Sequence, residues 1–365
     1  MQSGFRSGHS TVSATLKVLN DIHCALDRSY IVSSVFIDLS KAFDTVDHAV
    51  LVQRLKCCGI TGHVLDWFRN YLSNSTQCVM TDGCKSVEVC SGVLQGSILG
   101  PLLFILYISN IGDLIETADV NFYADDTVLY SSGSSLSLAF ENAQRAFNII
   151  QQNLYDLKLV LNSSETKCMV FSSARHVTNH VTATLAGHTT EQVKVYKYLG
   201  VWVDEKLSFT VPVENLIRKL KLRIGFYYRQ KACFSFEARK ELVRCTLLAV
   251  LHFCDVIYMQ ASATTLRALD SVYHAALRFI TNQKRLTYHC DLYSAVGWSS
   301  LTLRRLKHWY TLIYKDILGK MPFYLCSFLV RSVNKYQLRS HSHLLLTVPK
   351  IRTGHGRNSF SYSAP

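Results

Sequence analysis

The segment Phe122-Tyr123-Ala124-Asp125-Asp126-Thr127-Val128-Leu129 sets two adjacent carboxylates between two apolar runs. The apolar and β-branched residues on both sides predict two short strands that meet in a hairpin tip at Ala124-Asp125-Asp126. Neighbouring carboxylates in such a place repel each other and lose hydration, and a divalent cation relieves both costs. An isolated Asp-Asp pair is most often part of a simple turn, so this segment does not establish a site by itself.

A third carboxylate, Asp38, ends another apolar run that begins near Tyr30 and predicts a buried strand. We expect Asp38 to lie beside the hairpin tip and to share a cation with Asp125 and Asp126. Hard carboxylate oxygens favour magnesium or manganese over zinc. Taken alone, Asp38 is equally consistent with a strand terminator or a helix cap.

Between Asp38 and Asp125 the chain contains a glycine loop and a pair of further aspartates. Gln95 and Gly96 lie in a loop before Pro101, where the glycine can supply an unusual backbone angle. Asp44 and Asp47 are better interpreted as caps at a helix start than as metal ligands.

The residue pattern predicts mixed strands and helices up to about residue 204 and mainly helices afterwards, which is typical of an α+β domain followed by a helical one. Helices are predicted near 11–28, 47–59, 63–72, 101–108 and 135–159, and beyond Phe209. Strands are predicted at 30–39, 120–130, 168–172 and 195–203, with a further hairpin at 78–93 that turns at Asp82-Gly83. The last stretch, from about Val330, is polar and irregular.

The positive charge is concentrated in one part of the chain. Of the formal net charge of +13, residues 1–204 contribute 14 Lys and Arg against 18 Asp and Glu, and residues 205–365 contribute 25 against 8. This division favours a polyanionic partner that one part binds and the other part processes. A solvated helical surface or a membrane-facing patch would explain the charge equally well.

The composition narrows the class of protein further. A 365-residue chain with 48% hydrophobic residues can bury a sizeable core. The longest apolar run, Leu102–Ile108, is too short to cross a bilayer, and the first residues lack an apolar signal core. We therefore expect an intracellular protein, in the nucleus or the cytoplasm and without a membrane partner. The twelve scattered cysteines contain no CxxC pair and are expected to be reduced thiols rather than disulfides or zinc ligands.

The order of these segments closely resembles that of the reverse transcriptases of non-LTR (LINE-type) retrotransposons. The matching segments are Gln2-Ser3-Gly4-Phe5-Arg6 with Ser10-Thr11 (fingers-to-palm motif), Phe36–Asp44 (first catalytic motif), Gln95-Gly96-Ser97 with Pro101 (template and nucleotide motif), Tyr123–Asp126 (catalytic hairpin) and Tyr198-Leu199-Gly200 (primer grip). Together they span residues 2–204, and their joint order is highly specific.

The resemblance implies a right-hand polymerase palm, an antiparallel sheet with packed helices, and fingers truncated at the N-terminal side. In this interpretation residues 1–204 form the reverse transcriptase domain with partial fingers and palm. Residues 205–300 form a helical thumb-like region, and residues 301–365 form a basic C-terminal extension that is partly irregular.

The resemblance also implies an RNA-directed DNA polymerase that acts by a two-metal mechanism with Mg²⁺ (or Mn²⁺). Its partners would be an RNA template, a DNA primer and deoxynucleoside triphosphates. The implied residues are Asp38, Asp125 and Asp126 (catalysis and metal binding), Phe43, Gln95 and Gly96 (nucleotide binding), and Tyr198, Gly200, Arg218, Lys219, Lys221 and Arg223 (nucleic-acid binding). Phe43 would crowd a ribose 2′-hydroxyl.

One position departs from the family pattern. Glu165 stands where the family usually has lysine, a proton donor or phosphate contact, and Lys167 is a candidate substitute. The chain could therefore be a catalytically inactive nucleic-acid-binding remnant of such an element. A two-metal nuclease would use the same acidic chemistry, but Gln95-Gly96 and Phe43 favour nucleotide selection.

Overall fold

The computed structural model describes residues 1–73, 78, 80–81, 84–85, 91–173, 184–185, 188–331 and 346–364. The chain divides into two compact units. The first unit contains Met1–Ser10 and Cys24–Lys194, and the second contains Thr11–His23 and Val195–Pro365. Helix α1 (Thr11–Asp27) therefore contributes residues to both units. The division predicted at residues 204 and 300 stays a prediction.

The first unit contains both strands and helices. Its helices are α2 (His48–Cys57), α3 (Gly62–Ser73), α4 (Leu99–Ile108) and α5 (Leu136–Asp156). Its strands are β1 (Ile31–Ile37), β2 (Met80–Thr81), β3 (Cys84–Lys85), β4 (Asp119–Tyr123), β5 (Asp126–Gly133), β6 (Lys167–Phe171), β7 (Thr184–Leu185), β8 (His188–Thr189) and β9 (Glu191–Gln192).

Five of these strands form one sheet in the order β4-β5-β1-β6-β9. The pairings β4–β5, β5–β1 and β1–β6 are antiparallel, and only the two-residue pairing of β6 with β9 is parallel. In the β1–β5 register Ile37 lies opposite Thr127, and in the β4–β5 register Tyr123 lies opposite Asp126. This register brings the end of β1 to the tip of the β4–β5 hairpin.

The sheet packs against α5, whose apolar residues recur at helical spacing. Ser135 caps the start of α5 by accepting a hydrogen bond from the Leu138 backbone N–H. Phe147 and Ile150 on its inner side are buried in the same core as Leu129 of β5. The buried core therefore fixes the strands that carry Asp38 and the hairpin.

The second unit is mainly helical after one hairpin. The hairpin pairs β10 (Val195–Tyr198) with β11 (Val201–Asp204). The helices are α6 (Thr210–Arg229), α7 (Phe236–Val243), α8 (Ala249–His252), α9 (Asp255–Tyr258), α10 (Ala263–Thr281), α11 (His289–Val296), α12 (Leu301–Ile317), α13 (Phe323–Cys326), α14 (Gly354–Arg357) and α15 (Phe360–Ser363), with a 3₁₀ turn at Lys231–Cys233 and a π-helical turn at Arg244–Leu248.

The helices predicted before residue 160 and the helical region after Phe209 are confirmed, and the two strands around Ala124-Asp125 are confirmed. The single strand expected over 195–203 was wrong, because Leu199 and Gly200 turn the chain with positive φ angles of 47° and 83°. The turn at Asp82-Gly83 lies outside the described residues, as does most of the stretch after Val330. In the part of the chain that is described, no helix combines the length and apolarity needed to span a bilayer.

Candidate active site

The tip of the β4–β5 hairpin is a two-residue turn of Ala124 and Asp125. Ala124 has a positive φ of 58°, a backbone conformation that alanine rarely adopts and that two-residue hairpins usually fill with glycine. Asp125 is half-buried, and Asp126 begins β5 with an exposed side chain. The turn therefore presents two successive carboxylates from a strained backbone.

The first residues of the chain hold this strained turn in place. The Gln2 side-chain Oε1 accepts hydrogen bonds from the backbone N–H of Ala124 at 3.0 Å and of Gly4 at 2.7 Å. The Ser3 N–H donates to the Phe122 carbonyl at 2.7 Å, so this segment runs along β4. A Cβ on Gly4 would lie 2.4 Å from the Ala124 nitrogen, so only glycine fits this approach.

Asp38 follows β1 and is fixed by the segment after α5. The Asn162 side-chain amide donates to the Asp38 carboxylate at 2.7 Å, and the Asn162 N–H donates to the Asp38 carbonyl at 2.9 Å. The Asp38 N–H in turn donates to the Thr166 hydroxyl at 3.2 Å. Both the backbone and the carboxylate of Asp38 are therefore oriented before any ligand arrives.

The three carboxylates share one electrostatic environment. Burial, and to a lesser extent the charge of Asp38, raises the pKa of Asp125. Burial, followed by repulsion from Asp125 and Asp38, raises the pKa of Asp126 to about 6. The Asp126 side chain still reaches the surface, so solvent screens part of this repulsion. In the described chain none of the three forms an ion pair.

The chemistry of these three residues fits a divalent cation, since their carboxylate oxygens are hard ligands. The three negative charges repel one another, and a cation would balance them. Within the described ranges, no three Asp, Glu, His or Cys side chains stand close enough to hold a metal ion as they are now arranged. The mutual repulsion of Asp38, Asp125 and Asp126 thus supports a metal site at this place. Their side chains, however, do not converge closely enough to coordinate one ion together.

The residues predicted to bind the nucleotide are brought together by hydrogen bonds between two loops. The Val93 N–H donates to the Phe43 carbonyl at 2.8 Å, which places the loop before α4 against the turn after β1. Gln95 is exposed, and its amide donates to the Asp44 carboxylate at 3.4 Å. The Phe43 ring stacks on Phe104 of the core, with ring centroids 4.3 Å apart.

Gly96 has a positive φ of 83°, and a Cβ there would meet no atom within 4 Å. The glycine is therefore required for its backbone angle and leaves open space in front of the loop.

In the second unit, a groove of about 880 Å³ lies between the β10–β11 hairpin and α6. Of the residues predicted to bind nucleic acid, Gly200, Arg218 and Lys219 line this groove. Lys197 adds a further positive charge to it. Aromatic and apolar side chains complete the lining, among them Trp202, Leu222 and Phe253.

The other predicted nucleic-acid residues do not line the groove. Tyr198 is buried, and the Arg223 guanidinium donates to the Thr246 carbonyl at 3.1 Å. Lys221 is exposed on α6.

The position where the family has lysine is exposed. Glu165 lies at the surface after α5. Lys167, its candidate substitute, forms an ion pair with Glu191 at 2.7 Å. This pairing ties the Lys167 ammonium to the partner strand β9.

Sequence reasoning missed two residues that shape the site. Gln2 was noted only as part of a motif, and its bond to Ala124 spans 122 positions, a separation that no local pattern reveals. The bond from Asn162 to the Asp38 carboxylate spans 124 positions in the same way. The signal that could have identified Gln2 is alanine at a hairpin position that favours glycine, because such a turn needs support from elsewhere.

An antiparallel sheet that presents one carboxylate beside a two-carboxylate hairpin tip is typical of the palm of nucleotide polymerases. Residues 1–203 match the family described as reverse transcriptase (RNA-dependent DNA polymerase). The chain belongs to this reverse transcriptase family, as the motif resemblance predicted. Reverse transcriptases generally use divalent metal ions.

The curated relatives are polymerases of mobile elements. The chain is 24% identical over 309 residues to the RNA-directed DNA polymerase from mobile element jockey of Drosophila funebris, covering 80% of this chain and 33% of the relative. It is 27% identical over 292 residues to the jockey polymerase of Drosophila melanogaster, covering 77% of this chain and 32% of the relative. The chain thus spans about a third of the length of these relatives.

Among solved structures, the fold is similar to that of telomerase from Candida albicans in complex with the TWJ fragment of telomeric RNA. The identity is 11%, the TM-score is 0.45, and the match covers 79% of this chain and 55% of the other.

Proposed function

We propose that this chain is the polymerase part of an RNA-directed DNA polymerase, which extends a DNA primer with deoxynucleoside triphosphates on an RNA template. The observation that carries the proposal is the placement of Asp38 at the end of β1, next to the strand pair whose tip bears Asp125 and Asp126. Membership of the reverse transcriptase family supports it.

In this proposal Asp38 and Asp125 would hold Mg²⁺ (or Mn²⁺), and Asp126 would support the site. When bound, the ions would lower the pKa of the primer 3′-hydroxyl and neutralise charge on the triphosphate. Asp38 enters the reaction already oriented by the Asn162 amide, which fixes one of its oxygens. Gln2 keeps the tip of the hairpin, and with it Asp125, at a defined position.

We further propose that the incoming nucleotide lies against the turn after β1. Phe43 is half-buried and braced by Phe104, so its ring cannot easily move away from a sugar. A braced ring would discriminate against a ribose 2′-hydroxyl by crowding. Gln95 would contact the nucleotide or the template, and Gly96 would allow the backbone to approach closely.

The basic groove of the second unit would bind the backbone of the primer–template. Arg218 and Lys219 project from α6 into this groove and would contact phosphates, with Lys221 nearby on the same helix. Gly200 would allow close approach at the hairpin, while Tyr198 and Arg223 would act by shaping the unit.

The test is primer extension on an RNA template with Mg²⁺ or Mn²⁺. We expect extension by the unaltered chain and its loss on Asp38→Asn together with Asp125→Asn. The matched control is Asp113→Asn, the same change at an exposed aspartate of the first unit. Extension that survives in the double variant would refute the assignment of these carboxylates.

A second candidate function is that of an inactive nucleic-acid-binding remnant. The surface position of Glu165 and the ion pair of Lys167 with Glu191 favour it, because no lysine is then free at the family's position. It predicts salt-dependent binding to an RNA–DNA hybrid with no extension under either metal. Extension by the unaltered chain excludes it.

A further inference from the structure

Helix α12 of the second unit has two faces of different character. Its inner face is buried and includes Leu301, Trp309 and Ile313. Its outer face, here called the tyrosine face, consists of Leu303, Leu306, Lys307, Tyr310, Thr311 and Tyr314. This face lies far beyond residues 1–203, which match the family.

The tyrosine face exposes three large side chains next to one another. The side chains of Tyr310 and Tyr314 are each 63% exposed, and that of Leu303 is 59% exposed. The six residues line a shallow trough of about 500 Å³. Adjacent apolar and aromatic side chains that share one trough make this face a candidate binding surface.

The exposed charges on α12 and in the turn after it are basic. Lys307 lies within it, and Lys315 and Lys320 are exposed beside its far end. The one acidic residue of α12, Asp316, is buried on the opposite side. A polyanion therefore meets no exposed carboxylate of α12 along this face. A protein partner would also need a pocket of its own to accept the two tyrosine rings.

The two tyrosines follow each other along the tyrosine face, in line with a lysine. Tyr310 and Tyr314 are one helical turn apart, a rise of about 6 Å along the axis. Lys307 precedes Tyr310 by about 4.5 Å along the axis, within reach of a phosphate of the same strand. Aromatic rings with interspersed lysines are the usual means of binding a single strand without sequence preference.

We propose that the tyrosine face of α12 binds single-stranded RNA, with bases stacked on the exposed rings of Tyr310 and Tyr314 and a neighbouring phosphate on Lys307. The choice of RNA over DNA rests on the proposed function, in which RNA is the template strand. The binding itself does not require polymerisation.

The experiment measures the affinity of the full chain for a fluorescein-labelled 12-nucleotide single-stranded RNA by anisotropy. We expect Tyr310→Ala with Tyr314→Ala to weaken binding at least fivefold, since removal of a stacking ring costs about 1–3 kcal/mol per base. The pair Tyr310→Phe with Tyr314→Phe keeps the rings and should retain the affinity. Lys307→Ala should lower the slope of log affinity against log salt by about 0.7.

Two exposed tyrosines elsewhere provide matched controls. Tyr155 on α5 and Tyr288 before α11 are each 78% exposed, and their replacement by alanine should leave the affinity unchanged. A 12-nucleotide RNA that carries 4-thiouridine should crosslink to peptides that contain Tyr310 or Tyr314. The crosslinks locate the contact even if the chain shows no primer extension, so the proposal can fail or hold independently of the polymerase.

Three results would overturn the proposal. The first is an unchanged affinity in the double alanine variant, and the second is crosslinking confined to other peptides. The third is a double alanine variant that binds RNA normally but loses self-association in sedimentation, which would make the tyrosine face an interface between two copies.

Discussion

Replacement of Gly4 by alanine tests whether the first residues set the position of the candidate catalytic hairpin. The new Cβ would lie 2.4 Å from the Ala124 nitrogen and 3.1 Å from the Tyr123 carbonyl carbon. Ordinary van der Waals contact begins at 3.4 Å, so the two backbones must separate by about 1 Å. This separation would also break or lengthen the 3.0 Å bond from the Ala124 N–H to Gln2.

Both activity and stability should respond to this displacement. A shift of about 1 Å at reacting groups can cost about a hundredfold in rate, so single-turnover primer extension by Gly4→Ala should fall by about that factor. Overpacking should cost about 1–3 kcal/mol in the free energy of unfolding of the first unit. Hydrogen exchange of the Ala124 amide should become faster, which reports on the tip without any need for activity.

The matched control is Gly225→Ala, the same change within α6. A Cβ there meets no atom within 4 Å, so the variant should gain up to about 1 kcal/mol in helix stability and extend primers normally. Unchanged extension and unchanged Ala124 exchange in Gly4→Ala would refute the account of the hairpin support.

Four further outcomes are expected. Because the pKa of Asp126 is raised to about 6, the first unit should lose stability as the pH rises from about 4 to above 6. Asp126→Asn should remove this loss and, in thermal unfolding at pH 7.5, gain about 1 kcal/mol or less in the free energy of unfolding. An identical pH dependence of the variant and the unaltered chain would contradict this. Burial, followed by the charge of His355, lowers the pKa of His23 to about 3. The second unit should therefore lose stability as the pH falls below about 6.5. His23→Phe should reduce this dependence of the free energy of unfolding on pH, measured by urea titrations at pH 4 to 7. Glu165→Lys should raise the rate of primer extension, because it restores a cation at the family's lysine position, and a slower variant would argue against that role. Phe43→Ala should raise the ratio of ribonucleotide to deoxyribonucleotide incorporation by about 10-fold or more, measured by competing the two substrates, and an unchanged ratio would exclude Phe43 as the residue that crowds the 2′-hydroxyl.

The elements around the site could be predicted because local patterns determine them. Strand β1 and the β4–β5 hairpin are short apolar runs that end in carboxylates, and α5 has apolar residues at helical spacing with Ser135 as its cap. The proximity of Asp38 to the hairpin could be expected only from the joint motif order, since 87 positions separate it from Asp125.

The supports of the site could not be predicted, because they depend on contacts between distant residues. The bond from Asn162 to the Asp38 carboxylate spans 124 positions and depends on where the chain leaves α5. Similarly, leucine rarely adopts the left-handed backbone conformation that Leu199 has here. The residue pattern over 195–203 therefore predicts one strand where the chain forms a hairpin. The contacts that hold the carboxylates in place, rather than the carboxylates themselves, were what the sequence left open.

The pairing of residues 2–4 with β4 also has a consequence for how the protein is made. A ribosome adds Gln2 122 residues before Ala124, so the segment around Gln2 waits without its partner while the whole hairpin is synthesised. Contacts of such long sequence separation form late, since closing the intervening loop is entropically costly. The catalytic turn is therefore expected to acquire its final shape only in the last stage of folding of the first unit, after its hydrophobic core has condensed.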